Sequence, residues 1–149
     1  MQKGVSSGYD YQFWQAGARL VLVGYAMGTT LRDVADAVSK RTAAIAHTHS
    51  YHSAVGRTEL PVEALIDLAH RHDLPMYIDS ASILPPRSAV HQFADLGADL
   101  TIFSGSKAIR GPNDTGLILA GTEWGCRADR GDPDAGVSPR RDRPPVQGE

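Results

Sequence analysis

The sequence predicts an α/β protein with a mainly parallel sheet flanked by helices. Two observations predict it. Apolar runs of strand length alternate with stretches whose apolar residues recur at helical spacing, the pattern of βαβ units. Polar and small residues also cluster directly after several of the strand-like runs, where open α/β sheets bind ligands.

The elements follow in order. Arg19–Tyr25, "RLVLVGY", reads as a strand. Leu31–Ser39 places Leu31, Val34, Ala35 and Val38 on one helical face, with Thr30 as N-cap. Ala43–Thr48, "AAIAHT", reads as a buried strand. Pro61–His72 begins with proline, which suits a first helical turn, and carries an apolar stripe of Val62, Leu65, Ile66 and Ala69. Pro75–Ile78 is a short strand ending at Asp79. Ser88–Leu96 is a short helix closed by Gly97, a C-cap residue type. Leu100–Phe103 and Gly116–Ala120 are the remaining strands. The His47–His52 segment, the Asp79 turn and the Ser104–Lys107 loop are therefore expected at one sheet edge.

Composition narrows the class. The chain has 149 residues, 42% hydrophobic, with a net charge of −2, as in an ordinary globular protein with a real core. That balance gives no electrostatic case for nucleic acid or an anionic membrane. The one cysteine, Cys126, cannot form an internal disulfide, the first residues lack the apolar run of a signal peptide, and no stretch approaches the roughly 20 apolar residues of a membrane helix. A cytoplasmic protein is the expectation. After Gly121 the chain turns rich in Arg, Asp, Gly and Pro without apolar periodicity, so residues 1–121 are expected to form a domain and 122–149 a disordered tail.

"DLTIFSGSKAIRGPNDTG", Asp99–Gly116, sets Lys107 among small residues and glycines after a strand. Small neighbours leave room for a ligand, and glycines let backbone N–H groups approach it. The stretch lacks the glycine spacing of a phosphate-binding Walker loop, and no G-x-G-x-x-G occurs. Asp79 lies 28 residues upstream, enough for one helix and one strand between them. A carboxylate can hold the proton of a pyridinium nitrogen, and a lysine amine can form a Schiff base with an aldehyde. His47, His49 and His52 match no standard zinc signature and have no acidic ligand beside them, so no metal is expected there. They are expected to end a strand at the site's edge, with one of them touching cofactor or substrate. His70 and His72 suit a helix C-terminus, where positive charge is favourable.

"YIDSASILPP" followed by "LGADLTIFSGSKAIRGPNDTGLILAG", together with the upstream "QAGARLVLVGYAMGTTLRDVADAVSKRTAAI", resembles the selenocysteine synthase-like family of pyridoxal-phosphate enzymes. That family includes L-seryl-tRNA(Sec) selenium transferase and D-glucosaminate-6-phosphate ammonia-lyase. The resemblance runs from about Gly8 to Gly121 and implies part of the large domain of the aspartate-aminotransferase-like (type I) fold. It implies pyridoxal 5'-phosphate as cofactor, with Lys107 as Schiff-base lysine and Asp79 at the pyridine nitrogen. Ser104 would donate to the cofactor phosphate, Ala81 would belong to the cofactor site, and Arg110 would lie near that phosphate or a substrate anion. The implied partners are a small amino substrate or seryl-tRNA, with homo-oligomers in full-length relatives and no membrane.

Complete members of the family are longer, with a further N-terminal portion and a C-terminal small domain. Two functions follow: a pyridoxal-phosphate lyase or transferase, or a catalytically silent remnant of one. On this reading the chain alone is expected to be a weak enzyme.

Overall fold

The computed structural model describes residues 10–24, 28–49 and 60–121. In chain order these form α1 (Asp10–Gln15), α2 (Leu31–Ala37), β1 (Ile45–Thr48), α3 (Val62–Arg71), β2 (Met76–Asp79), a 3-10 turn (Arg87–Val90), α4 (Gln92–Asp95), β3 (Leu100–Ser104) and β4 (Gly116–Ala120). The four strands make one sheet in the order β1-β2-β3-β4. The first three run parallel and β4 is antiparallel to β3, so the α/β class with a mainly parallel sheet is the observed one.

Local chemistry explains the helices. Thr30 caps α2 as expected: its Oγ1 accepts from the Asp33 N–H, and the Asp33 carboxylate accepts from the Thr30 N–H at 2.8 Å. This reciprocal pairing satisfies donors that the first turn would otherwise leave open. The hydrogen bonds from Thr30 hold the Asp33 carboxyl below the usual carboxylate range. The helix stops at Ala37, short of Ser39, because Val38 turns extended and a turn closes from Ser39 to Thr42. Pro61 precedes the first turn of α3 as its N-cap rather than lying inside it.

The stripe Val62, Leu65, Ile66 and Ala69 is buried and covers one sheet face. Beneath it lie Met76, Ile78 and Phe103, with Phe93, Ala89 and Ala98 from the β2–β3 connection. Phe93 and Phe103 are each 1% exposed and are the largest buried side chains. Removing either ring costs about 3–5 kcal/mol in a core of this kind.

Two expectations are corrected, and one helix is new. Arg19–Tyr25 forms no strand over its described residues, 19–24, and Val21 and Leu22 stay exposed. A strand needs a ladder partner, and this run has none among the described residues. The expected helix Ser88–Leu96 is a 3-10 turn followed by a single turn of α-helix, although Gly97 closes it at φ +96°. α1, which no sequence pattern announces, is a short helix with Trp14 72% exposed. The tail expected over 122–149, and His52 with it, lies outside the described residues.

A carboxylate braces the amino edge of the sheet. Asp99 is 2% exposed, and its Oδ2 accepts from the Met76 N–H at 2.8 Å and from His70 Nε2 at 2.9 Å. Because a carboxylate oxygen only accepts, His70 carries a proton on Nε2 in this contact. The same residue's backbone joins Met76 and Gly121. Strand β2, helix α3 and the end of β4 are thus tied through one side chain and its peptide groups.

Candidate active site at the carboxyl edge of the sheet

Because β1, β2 and β3 are parallel neighbours, their carboxyl ends lie side by side. Asp79 closes β2, Ser104 closes β3, and Lys107 and Arg110 follow Ser104 on the β3–β4 loop. Asp79 is 8% exposed. Its Oδ1 accepts the Ala81 N–H at 3.0 Å, which fixes the carboxylate plane and leaves Oδ2 without a hydrogen bond among the described residues. An acid held in this way at a strand end offers one oxygen to a ligand.

The lysine loop is pinned by backbone bonds. The Gly105 N–H donates to Thr115 O at 2.8 Å, the Gly111 N–H to Gly105 O at 2.7 Å, and the Arg110 N–H to Lys107 O at 3.1 Å. Only glycine fits at 105, since a Cβ there would strike Thr115. Lys107 and Arg110 are exposed on this frame, and Ser104 Oγ lies 3.2 Å from Ser106 Oγ. The arrangement presents a carboxylate, a hydroxyl pair, an amine and a guanidinium along adjacent strand ends.

His47 and His49 lie at the carboxyl end of β1, beside the Asp79 strand end, as expected of that segment. Paired residues of neighbouring strands share a face, and the register pairs Thr48 with Asp79 and His47 with Ile78. Thr48, exposed, is therefore the β1 residue on the Asp79 face. His47 belongs to the helix-covered face, and His49 meets Phe93 edge-on at 5.0 Å. The His49 N–H still donates to Asp79 O at 2.8 Å, so its backbone steadies the acid's strand end. Among the described residues no group of three His, Cys, Asp or Glu side chains could hold a metal ion. No described helix is long and apolar enough to cross a membrane. A cavity of about 400 Å³ is lined by Tyr11, Trp14, Ala18, Arg19 and Leu20, and none of the strand-end residues borders it.

Sequence reasoning missed Thr48 and the buried Asp99. Thr48 becomes visible only once the β1–β2 register is known. Asp99 reads as a loop residue until His70 and Met76 are brought to it.

Comparison with known proteins accords with this geometry. A curated 5'-C-glycyluridine monooxygenase-decarboxylase from Streptomyces sp is 32% identical over 135 residues, 86% of this chain and 33% of its own length. L-seryl-tRNA(Sec) selenium transferase of Nitratidesulfovibrio vulgaris is 32% identical over 121 residues, 74% of this chain and 26% of its own. D-glucosaminate-6-phosphate ammonia lyase of Salmonella typhimurium is 31% identical over 114 residues, 75% of this chain and 29% of its own. A solved structure of D-glucosaminate-6-phosphate ammonia-lyase superposes with a TM-score of 0.63 at 29% identity, covering 77% of this chain and 30% of that one. The chain thus spans about a quarter to a third of the relatives it matches. The L-seryl-tRNA selenium transferase family matches residues 12–130, which takes in every strand of the sheet, the Asp79 turn and the Lys107 loop; the chain belongs to that family.

Proposed function

We propose that this chain carries the cofactor-holding centre of a pyridoxal-phosphate-dependent lyase or transferase whose substrate bears an amino group. The observation that carries the reading is the pairing of β2 with β3 in parallel, which sets the end of the Asp79 strand beside the start of the Lys107 loop. The names of the relatives point the same way, since they act on seryl-tRNA(Sec) or an amino-sugar acid phosphate.

The residues present fit the cofactor by their chemistry. Asp79, oriented by the Ala81 N–H, is a carboxylate suited to hold a proton on a pyridine nitrogen. Ser104, whose hydroxyl neighbours that of Ser106, is a donor for the phosphate. Lys107 would supply the amine that holds the cofactor and would serve to move a proton at the substrate's α-carbon. Bound pyridoxal phosphate supplies an electron sink for bonds broken at that carbon. The loop bonds through Gly105 and Gly111 hold the lysine's backbone in place, and positioning of this kind lowers a reaction barrier by several kcal/mol.

A second reading has the same centre bind cofactor without turnover. The test is to add pyridoxal phosphate to the purified chain, reduce with borohydride and map the labelled peptide. Label at Lys107 is expected. Label mainly at Lys3 or Lys40 would remove the assignment. Ammonia release from amino-acid and amino-sugar-acid substrates then separates an enzyme from a silent binder, with weak turnover expected.

A further inference from the structure

Arg110 holds a backbone conformation that its side chain does not favour. Its φ is +58°, in the left-handed region that glycine enters freely and a long side chain enters only with strain. The chain has glycine at 105 and 111 on the same loop, yet carries arginine here. The strained residue is fixed to the candidate Schiff-base residue itself, since its N–H donates to Lys107 O at 3.1 Å. Its side chain is exposed, and no ion pair engages it among the described residues. A strained position kept at a site points to a role for the side chain.

We propose that Arg110 is a specificity-determining residue that recognises an oxyanion of the substrate, carboxylate or phosphate, and not the phosphate of the cofactor. The proposal rests on the preceding reading of Lys107. The loop divides the two anions. Ser104 and Ser106, half-buried, precede Lys107 next to the sheet and suit the cofactor's phosphate. Arg110 lies beyond Lys107 on the turn with its side chain exposed, open to a ligand from solvent. A guanidinium suits this task because its planar fork pairs with two oxygens of either group. The turn fixes the backbone spacing between Arg110 and the lysine, whose place on the cofactor's carbonyl carbon the substrate's amino group would take as the lysine amine leaves. An amine without an oxyanion would then bind at the cofactor without the second contact.

The test uses the full chain as wild type, Arg110→Gly and Arg110→Lys. Cofactor-loaded protein is titrated calorimetrically with L-serine, phosphoethanolamine and ethanolamine, which carry a carboxylate, a phosphate and neither. Wild type is expected to bind one or both of the first two at least tenfold more tightly than ethanolamine, and the preferred probe identifies the anion. Arg110→Gly is expected to lose that preference while keeping its ethanolamine affinity, its labelling at Lys107 and a melting temperature equal to or above wild type. Arg110→Lys should keep part of the preference. An unchanged preference in Arg110→Gly overturns the proposal. So does a tenfold loss of cofactor affinity in that variant, which would give the guanidinium to the cofactor phosphate. If wild type takes no cofactor, the preceding reading fails and Arg110 is judged separately. The NMR signal of its Nε–H group is then followed in unloaded chain during acetate and inorganic phosphate addition. A saturable shift supports the oxyanion role, and no shift with either anion overturns it.

Discussion

His70 Nε2 stands 2.9 Å from Asp99 Oδ2, and the two residues join the end of α3 to the start of β3. The same oxygen also takes the Met76 N–H. One buried carboxylate therefore fixes the amino edge of the sheet opposite the proposed site.

Asp99→Ala strands the buried Met76 N–H and releases His70. An orphaned buried donor costs about 1–3 kcal/mol, more where the lost acceptor is charged. Urea denaturation should show a loss of about 2–3 kcal/mol, with a smaller loss for His70→Ala, whose side chain is partly exposed. Equal stability for Asp99→Ala and wild type would contradict the brace.

Thr101 is fully buried beside Ile78, and its Oγ1 has no hydrogen-bond partner among the described residues. Thr101→Val removes the stranded hydroxyl and keeps the shape. The expected outcome is equal or higher stability, by up to about 1–2 kcal/mol. A clear loss in thermal denaturation would show that the hydroxyl has a partner.

Acid should unfasten α2 through Asp33. Its folded-state pKa lies below its ordinary value, so the carboxylate's contribution is present above the unfolded pKa of about 3.9 and is lost as pH falls through the folded one. Amide signals of Thr30 and Asp33 should therefore change as pH is lowered from 5 towards 2. Asp33→Asn should abolish the carboxylate-dependent part of that change. An identical profile in the variant would remove the capping pair as its cause.

Asp79→Asn retains an oxygen for the Ala81 N–H and loses the charge proposed to hold the pyridine proton. Cofactor affinity, followed by absorbance, should fall at least tenfold, or about 1.4 kcal/mol. Folding stability should stay within about 1 kcal/mol of wild type. Unchanged affinity would displace Asp79 from the site.

Phe93→Ala should cost about 3–5 kcal/mol and free the His49 ring it meets. Denaturation reads the cost, and in proton NMR the His49 ring signals should lose the ring-current contribution of Phe93 while that of His47 remains. A small cost would mean that the surrounding core closes over the gap.

Much of this was legible in the sequence where a periodic pattern met a strong physical demand. The stripe on α3 and the strand ending at Asp79 declare themselves because burial selects every residue on one face. Arg19–Tyr25 misleads because β-branched residues report suitability for a pleated surface, not the presence of a neighbour to pair with. The direction of β4 carried a signal that composition hid. Only residues 105–115 separate it from β3, and a parallel return needs a dozen or more. Thr48 and Asp99 could not be read locally. Each gains its place from a partner 23 to 31 residues away, Thr48 by strand register and Asp99 by donors from α3 and β2.

The antiparallel step from β3 to β4 has a consequence for how such a site can change. The Lys107 loop hangs between two strands paired over five positions, Leu100 with Ala120 through Ser104 with Gly116. Its geometry is thus specified by one contiguous stretch of about twenty residues, whereas Asp79 depends on chain brought in from far upstream. That stretch behaves as a cassette. Substitutions inside it can retune what the lysine meets while the acid and its strand stay untouched, and recombination at its ends would transfer the whole loop intact. An insertion within β4 itself has the opposite effect: shifting the ladder by one residue would turn Ile118 towards the helices and pull the loop off its anchor at Gly105. Variation in reaction type among relatives of this fold can therefore accumulate between Gly105 and Thr115, with the strands on either side held constant.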